Sequence, residues 1–331
     1  MDVEKVGKAI TFLRKRAGYT QRDLASRIGI SDKAVSKWER GICLPDSALL
    51  GKLSILLDTD TDSLLAGDVI HHDKRWGGIL KIDVNPYGIH AGTMIFDKPL
   101  VYFLLGYFML VGIKNIRIDC DSKSRDFIQR EIGSGEQFGI HVFFEHEDTH
   151  FSNYMVVIGR SIIYGVDQTR FFQRAMIHPN RFTILSLPKG MRDTEQGLTF
   201  DADRRLVEDG DEEQITTQYN YYNMPIFFCT SEHLRTLGGV ENLSSNSFDQ
   251  IESIYTEILD RGYVELPVNT WEDVCDASSF ISTVQKACGM EVYCLEEIAW
   301  RRGMITTEQL IQFGLRQSNN PHGKYILSLV Y

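Results

Sequence analysis

One stretch constrains the fold more than any other: Thr20 to Gly41. Thr20 is placed to cap a short helix, Gln21-Arg-Asp-Leu-Ala-Ser-Arg-Ile28, and Gly29 supplies a tight turn. Ser31 caps a second short helix, Asp32-Lys-Ala-Val-Ser-Lys-Trp-Glu-Arg40, which Gly41 closes. A helix from Val3 to Arg16 precedes them, with Val6, Ile10 and Leu13 on one stripe and Gly18 at its end. A fourth follows Pro45-Asp46 and turns Leu49, Leu50, Leu53, Leu56 and Leu57 inward; a short fifth runs from Thr61 to Leu65. Two short helices joined through a glycine turn make a helix-turn-helix, so residues 1–67 read as an all-α five-helix head.

Charge separates this head from the rest. The chain carries a net −10, yet residues 5–40 hold ten Lys and Arg against three acids. That segment is +7 and the remainder −17, a basic head on an acidic body that meets a polyanion with one face. The residues of the head resemble the phage-repressor/Cro-type helix-turn-helix family. The resemblance is carried by Thr20-Gln21, Leu24-Ala25, Ile28-Gly29-Ile30-Ser31, Ala34-Val35-Ser36-Lys37-Trp38-Glu39 and Gly41, with Pro45-Asp46 and the Leu-rich helix after them. It implies that the third helix enters the major groove of duplex DNA. Asp32, Lys33, Ser36 and Lys37 would then read base edges, while Thr20, Gln21 and Arg40 hold phosphates. Val35 and Trp38 face inward as core. The competing reading is a helical bundle that makes protein contacts only.

Residues 68–75 are polar and without periodicity and read as a linker. Its His71-His72 pair has the residue type of a metal site without a third ligand nearby. From Trp76 the pattern alternates strands and helices. Strands are expected over Gly78–Ile82, Lys114–Ile118, Gly139–Glu145 and Tyr154–Gly159, and helices over Pro99–Gly112 and Ser124–Ile132. The apolar stretch Pro99–Ile113 is too short to span a bilayer and reads as a buried helix. The alternation predicts a multidomain chain: the all-α head, then an α/β doubly wound, Rossmann-type domain over 76–288, then a helical C-terminal tail over 289–331. Strand 154–159 is fully apolar, as the centre of a parallel sheet requires. The Phe227-Phe228 pair and Trp271 are expected in the core. Six scattered cysteines give no zinc framework, and with no signal-peptide pattern at the start they suit a reducing cytoplasm. The run Glu145–His150 has metal-ligand residue types but reads as a solvated acidic loop, as does Asp209–Glu213.

The collinear order of several body motifs resembles glucose-1-phosphate thymidylyltransferase and related sugar nucleotidyltransferases. The matching pieces are Asp97–Tyr102, Leu110–Ile113, Gly133–Ile140, Ile158–Gly165, Phe200-Asp201, Trp271–Asp273, Phe280-Ile281, Gly289–Gly303 and His322–Tyr325. The resemblance implies a nucleotidyltransferase-like fold and a tail of the family's oligomer-forming kind. It also implies a glycine-rich phosphate loop with an arginine and a lysine. Here the stretch Lys81–Met94 is shorter, keeps Gly88 and Gly92, and places Pro86 where an amide donor would stand. The family's magnesium-binding Leu-Gly-Asp is Ile158-Gly159-Arg160, and the second carboxylate corresponds to Asp273. The family's Glu-Glu-Lys-Pro appears as Glu208-Asp-Gly-Asp211, and the base-recognising segment between Glu145 and Tyr154 is shortened.

These departures lead to the expectation of a body that is not an enzyme, with no catalytic residues, no cofactor and no metal. Gly88, Gly92, Arg160 and Asp273 are the expected ligand-binding residues. The expected whole is a bacterial, cytoplasmic regulator on a palindromic double-stranded DNA operator. It works as a homodimer or homotetramer, away from membranes, with a nucleotide or nucleotide-sugar effector and genes of polysaccharide or nucleotide-sugar synthesis as targets. Residual nucleotidyl transfer and a purely scaffolding body are the alternatives.

Overall fold

The computed structural model describes residues 2–16, 19–57, 59, 61–66, 76–144, 151–165, 168–176, 178, 180–188, 198–200, 219–240, 248, 251–259 and 262–330. Gly18, the linker 68–75 with His71 and His72, Glu145–His150, Asp201 and Glu208–Glu213 lie outside the described residues. The chain forms two compact units: residues to His71, and nearly all those from His72 onward.

The first unit holds α1 (Val3–Arg16), α2 (Gln21–Ile28), α3 (Asp32–Glu39), α4 (Ser47–Leu56) and α5 (Thr61–Ala66). Its core gathers Val6, Ile10, Leu13, Leu24, Ile28, Val35, Trp38, Leu53, Leu57 and Leu64. The caps form as the residues require. The Thr20 hydroxyl accepts the Asp23 amide and Asp23 answers with the Thr20 amide, a reciprocal capping box. Ser31 accepts the Ala34 amide. Gly29 takes the left-handed backbone at φ 79°, which frees the chain to turn between α2 and α3.

The second unit is built on a mixed sheet. Its strands are β1 (Trp76–Ile82), β4 (Asn115–Cys120), β5 (His141–Phe143), β6 (Asn153–Ile158), β8 (Phe182–Pro188), β9 (Leu198–Phe200), β10 (Tyr219–Thr230) and β11 (Ile254–Ile258). The order across the sheet is β11-β8-β10-β6-β1-β4-β5, with β9 on β10. Two small ladders pair β2 (Met94–Ile95) with β3 (Lys98–Pro99) and β7 (Ser161–Gly165) with β12 (Tyr263–Pro267). Strand β6 runs parallel to β1 but antiparallel to β10, so the expected all-parallel surroundings are corrected to mixed ones. Period-two alternation sends neighbours to opposite faces. Ile79, Val156 and Phe227 join one core; Leu80, Val157 and Phe228 join the other. A strand buried on both faces is apolar throughout, whichever way its partner runs.

Helices α6 (Leu100–Leu110), α7 (Ser122–Glu131), α8 (Gln168–Met176), α9 (Ser231–Thr236) and α10 (Trp271–Cys288) flank the sheet. The apolar stretch at 99–113 becomes α6, which buries residues all round. The tail folds as α11 (Leu295–Arg301), α12 (Thr307–Arg316) and α13 (Pro321–Ser328), and its Tyr293, Leu295, Leu310 and Ile326 enter the larger core of the sheet unit. Phe227 and Phe228 are buried as expected. Trp271 is not: it is 55% exposed at the start of α10. Among the described residues no helix is long and apolar enough to cross a membrane.

Candidate nucleic-acid interface and ligand cleft

In the head, α3 buries Val35 and Trp38 and turns its other face outward. Asp32, Lys33 and Lys37 are exposed and Ser36 is half-buried on that face. Asp32 bonds the Lys33 amide at 2.8 Å, which fixes its carboxylate over the helix start. Arg40 caps the far end, and its Nε donates to the Ser36 carbonyl at 3.2 Å. Thr20 is exposed, and Gln21 Nε2 donates to Glu39 at 2.6 Å. The same carboxylate pairs with Arg14, whose Nη1 also donates to the Tyr19 carbonyl at 2.6 Å. Arg14 and Glu39 are 9% and 6% exposed, so this ion pair is part of the interior.

A groove of about 650 Å3 runs between the start of α2 and the start of α3. It is lined by Arg14, Lys15, Tyr19, Thr20, Gln21, Arg22 and Asp32. The structure therefore brings Thr20, Gln21 and Asp32 together. It adds Lys15 and Arg22, which counted in the basic run of the sequence but carried no motif signal. Cations beside two helix N-termini, where amides point outward, are a surface for phosphate oxygens.

In the body, the loop after β1 walls a cavity of about 430 Å3 at the C-terminal ends of β1 and β6. That is where ligands sit in open α/β sheets. Asn85 organises the loop: its Oδ1 accepts the amides of Tyr87 and Ile89 at 3.0 Å, and its Nδ2 donates to the Asn269 carbonyl at 2.7 Å. The polar residues in its lining are Lys81, Asp83, Asn85, His90, Arg160 and Asn269, with Tyr87. Lys81 Nζ lies 3.8 Å from Asp119. Partial desolvation pushes the Asp83 carboxyl up from its ordinary value, Lys81 draws it back, and Asp119 and Asp121 add repulsion. Partial burial and Lys123 lower His90. Its Nδ1 accepts the Gly92 amide at 3.0 Å, which makes Nε2 the nitrogen that can carry the proton. The Trp271 indole N–H donates to the carbonyl of the lining residue Tyr87 at 3.0 Å.

Of the four expected ligand residues, Arg160 lines this cavity. Gly88 stands between lining residues at φ 79°, its amide bonded to the Asn85 carbonyl. Gly92 backs onto Phe127 instead. Asp273 caps α10, its Oδ2 accepting the amides of Asn269 and Thr270, so it supports the wall from behind. Arg160 is exposed and lines the cavity, so it can meet an anionic group, whereas Lys81 Nζ donates to the Val240 carbonyl at 3.3 Å as well as facing Asp119.

A helix-turn-helix family model matches residues 10–64. The remainder is similar to proteins named glucose-1-phosphate thymidylyltransferase. That from Neisseria meningitidis serogroup A is 26% identical over 259 residues, covering 71% of this chain and 90% of that protein. Those from Neisseria gonorrhoeae and Mycobacterium tuberculosis strain H37Rv are 25% and 21% identical, each with the same coverage. A crystal structure of a putative glucose-1-phosphate thymidylyltransferase from Bacillus anthracis in complex with a sucrose superposes with a TM-score of 0.48 at 11% identity. It covers 62% of this chain and 94% of that one. The expectation that the body is not an enzyme is corrected by these relatives, which bear the name of one. That expectation weighed missing motif residues, which say nothing of where a cation such as Arg160 stands once the chain is folded. The chain joins a Cro/C1-type helix-turn-helix domain at residues 10–64 to a body similar to the glucose-1-phosphate thymidylyltransferases.

Proposed function

We propose that the chain is a sequence-specific DNA-binding transcription regulator, acting in the cytoplasm, whose body binds a nucleotide or nucleotide sugar. The observation that carries this reading is the Ser31-capped α3, with Asp32, Lys33, Ser36 and Lys37 on its outward face beside a groove edged by Lys15 and Arg22. Lysine suits the paired acceptors of guanine, and an aspartate suits the amino group of cytosine. Thr20, Gln21 and Arg40 fix the register on phosphates. With the Gln21 side chain on Glu39 and the Thr20 and Asp23 amides taken by the capping box, the backbone amides of Gln21 and Arg22 are the ones left at the start of α2 for that contact. In the body, Arg160 faces the ligand's phosphates, with Asn85 and Gly88 shaping the loop and Asp273 holding Asn269.

Titration against an operator selected from random duplexes tests the head. Lys37→Ala is expected to weaken specific sites by ~1–3 kcal/mol and to blur sequence preference. Arg40→Ala is expected to weaken all sequences alike. Wild-type binding by both variants rules the reading out. Thermal shift with a nucleotide-sugar panel tests the cleft: a bound ligand raises the melting temperature, and Arg160→Ala removes the rise.

The names of the relatives favour a second reading, a bifunctional regulator that also transfers a nucleotidyl group from a triphosphate to a sugar 1-phosphate. Pyrophosphate release by the purified full-length chain separates the two, with Lys81→Ala and Arg160→Ala as the controls.

A further inference from the structure

We propose that Glu291, Cys294 and His322 form a binding site for one transition-metal ion of the zinc class in the C-terminal helical region. One ligand atom from each residue lies within 4.8 Å of the other two. Glu291 and Cys294 flank a turn ahead of α11, and His322 stands in the first turn of α13. The three come from residues 28 or more apart on one side and three apart on the other, a spacing that no short motif announces.

The distances suit a metal. Zinc ligands at ~2.0–2.3 Å from the ion stand about 3.3–3.8 Å from one another in a tetrahedron. His322 Nδ1 is 2.7 Å from Glu291 Oε2, so that pair needs to open by less than about 1 Å to admit the ion. The other ring nitrogen, Nε2, faces Glu296 Oε1 at 3.4 Å. That carboxylate is 4% exposed and also meets the Cys294 thiol at 3.5 Å. A carboxylate on the far nitrogen of a metal-binding imidazole fixes its tautomer and orientation, which is the usual support for such a ligand. Imidazole, thiolate and carboxylate together select zinc or cobalt(II) over magnesium or calcium.

The site is held in shape from several sides. Tyr293, between the two ligands of the turn, takes a left-handed φ of 51°. Its ring is buried and its hydroxyl donates to the Ile163 carbonyl at 2.7 Å. Gln285 accepts the Val292 amide at 2.8 Å. Lys98 places an ammonium near the site, but it donates to the Val292 carbonyl at 2.9 Å and is matched by Asp97 at 3.5 Å as well as by Glu291 at 3.4 Å. Glu296 is left facing ring and thiol. Zinc takes the imidazole and the thiol in their deprotonated forms, so its binding releases protons to solvent. A cavity of about 260 Å3 has Glu291 and Cys294 in its wall, which gives a fourth ligand, water or a small molecule, a way in.

The test is to strip the full-length protein with a chelator and titrate it with Co2+. We expect one equivalent to bind with a thiolate-to-cobalt charge-transfer band that zinc displaces. Cys294→Ser abolishes the band while Cys43, Cys275 and Cys288 remain as internal controls. Glu296→Gln, which removes only the supporting carboxylate, weakens cobalt by about 10–100-fold. Absence of the band, or its survival in Cys294→Ser, overturns the proposal. Should Cys294→Ser fail to fold, His322→Gln decides, because that ring is 29% exposed and tolerates replacement: wild-type cobalt affinity in it overturns the site, and a loss of at least about tenfold supports it.

Discussion

Glu39 is one side chain that holds three helices. It closes α3, accepts Arg14 from α1 through two nitrogens, and accepts Gln21 from α2. Removing one partner of a buried ion pair strands the other, which costs about 3–5 kcal/mol. Glu39→Ala is therefore expected to lower the stability of the head by that order, read from chemical denaturation of the full-length chain by a probe on Trp38. A loss under about 1 kcal/mol would place the pair among those that surface water already satisfies. Gly7 sets the approach of the same helices from the other side. A Cβ there would press into the Trp38 carbonyl oxygen and lie 3.0 Å from the Gly41 nitrogen and 3.1 Å from the Glu39 carbonyl oxygen, and all three are backbone, so none yields as a side-chain tip does. Gly7→Ala is expected to destabilise by about 1–3 kcal/mol, the usual cost of overpacking. Unchanged stability would mean that α1 and α3 part without penalty.

At the scale of elements, the start of α10 links a helix cap to the cleft. The Thr270 hydroxyl accepts the Asp273 amide at 3.1 Å, and Asp273 holds the amides of Thr270 and Asn269. Asn269 in turn receives Asn85. Thr270→Ala is expected to cost about 1 kcal/mol of stability. It is also expected to weaken any cleft ligand, while Thr270→Ser restores both; a variant that loses stability but binds as before would uncouple cap from cleft. Such pairs explain what the sequence made legible. Thr20, Gly29 and Ser31 act on neighbours within a few positions, so their residue types announce the helix ends. Asn85 acts across 184 positions, and nothing local marks it. Trp271 reads as core by size, yet its indole N–H finds the Tyr87 carbonyl at the surface, the polar handle that lets a large aromatic stay exposed. The apolar run at 154–159 likewise located β6, and the Phe227-Phe228 pair marked buried residues of β10, without showing that the two strands are antiparallel, because burial on both faces leaves no trace of strand direction. Arg160 was legible only because the collinear motif fixed its place beside Gly159.

For the whole molecule, the reading as a regulator requires two heads. One helix-turn-helix covers half of a two-fold operator, and half-sites stand about one helical turn apart. Most of the head's apolar residues, from Val6 to Leu64, are in its core, and Phe12 and Ile42 are the large ones it leaves exposed among the described residues. Association is therefore expected to come from the body. On the proposed division of the chain, eight residues, 68–75, join head to body and can span at most about 29 Å, so the geometry of an associated body is expected to limit where the heads stand. A ligand that shifts that geometry changes DNA affinity, typically by ~1–3 kcal/mol. Charge sharpens the expectation: with +7 on residues 5–40 and −17 elsewhere, salt should weaken binding through the heads alone. Light scattering and operator titration of the full-length chain and of residues 1–75 measure this together. The full-length protein is expected to be at least a dimer with a steeper salt dependence, because two heads release counterions from one duplex. The fragment, which keeps its own core, is expected to be monomeric and to bind a single half-site weakly. A monomeric full-length chain, or a fragment with the same affinity and stoichiometry, removes the body from DNA recognition.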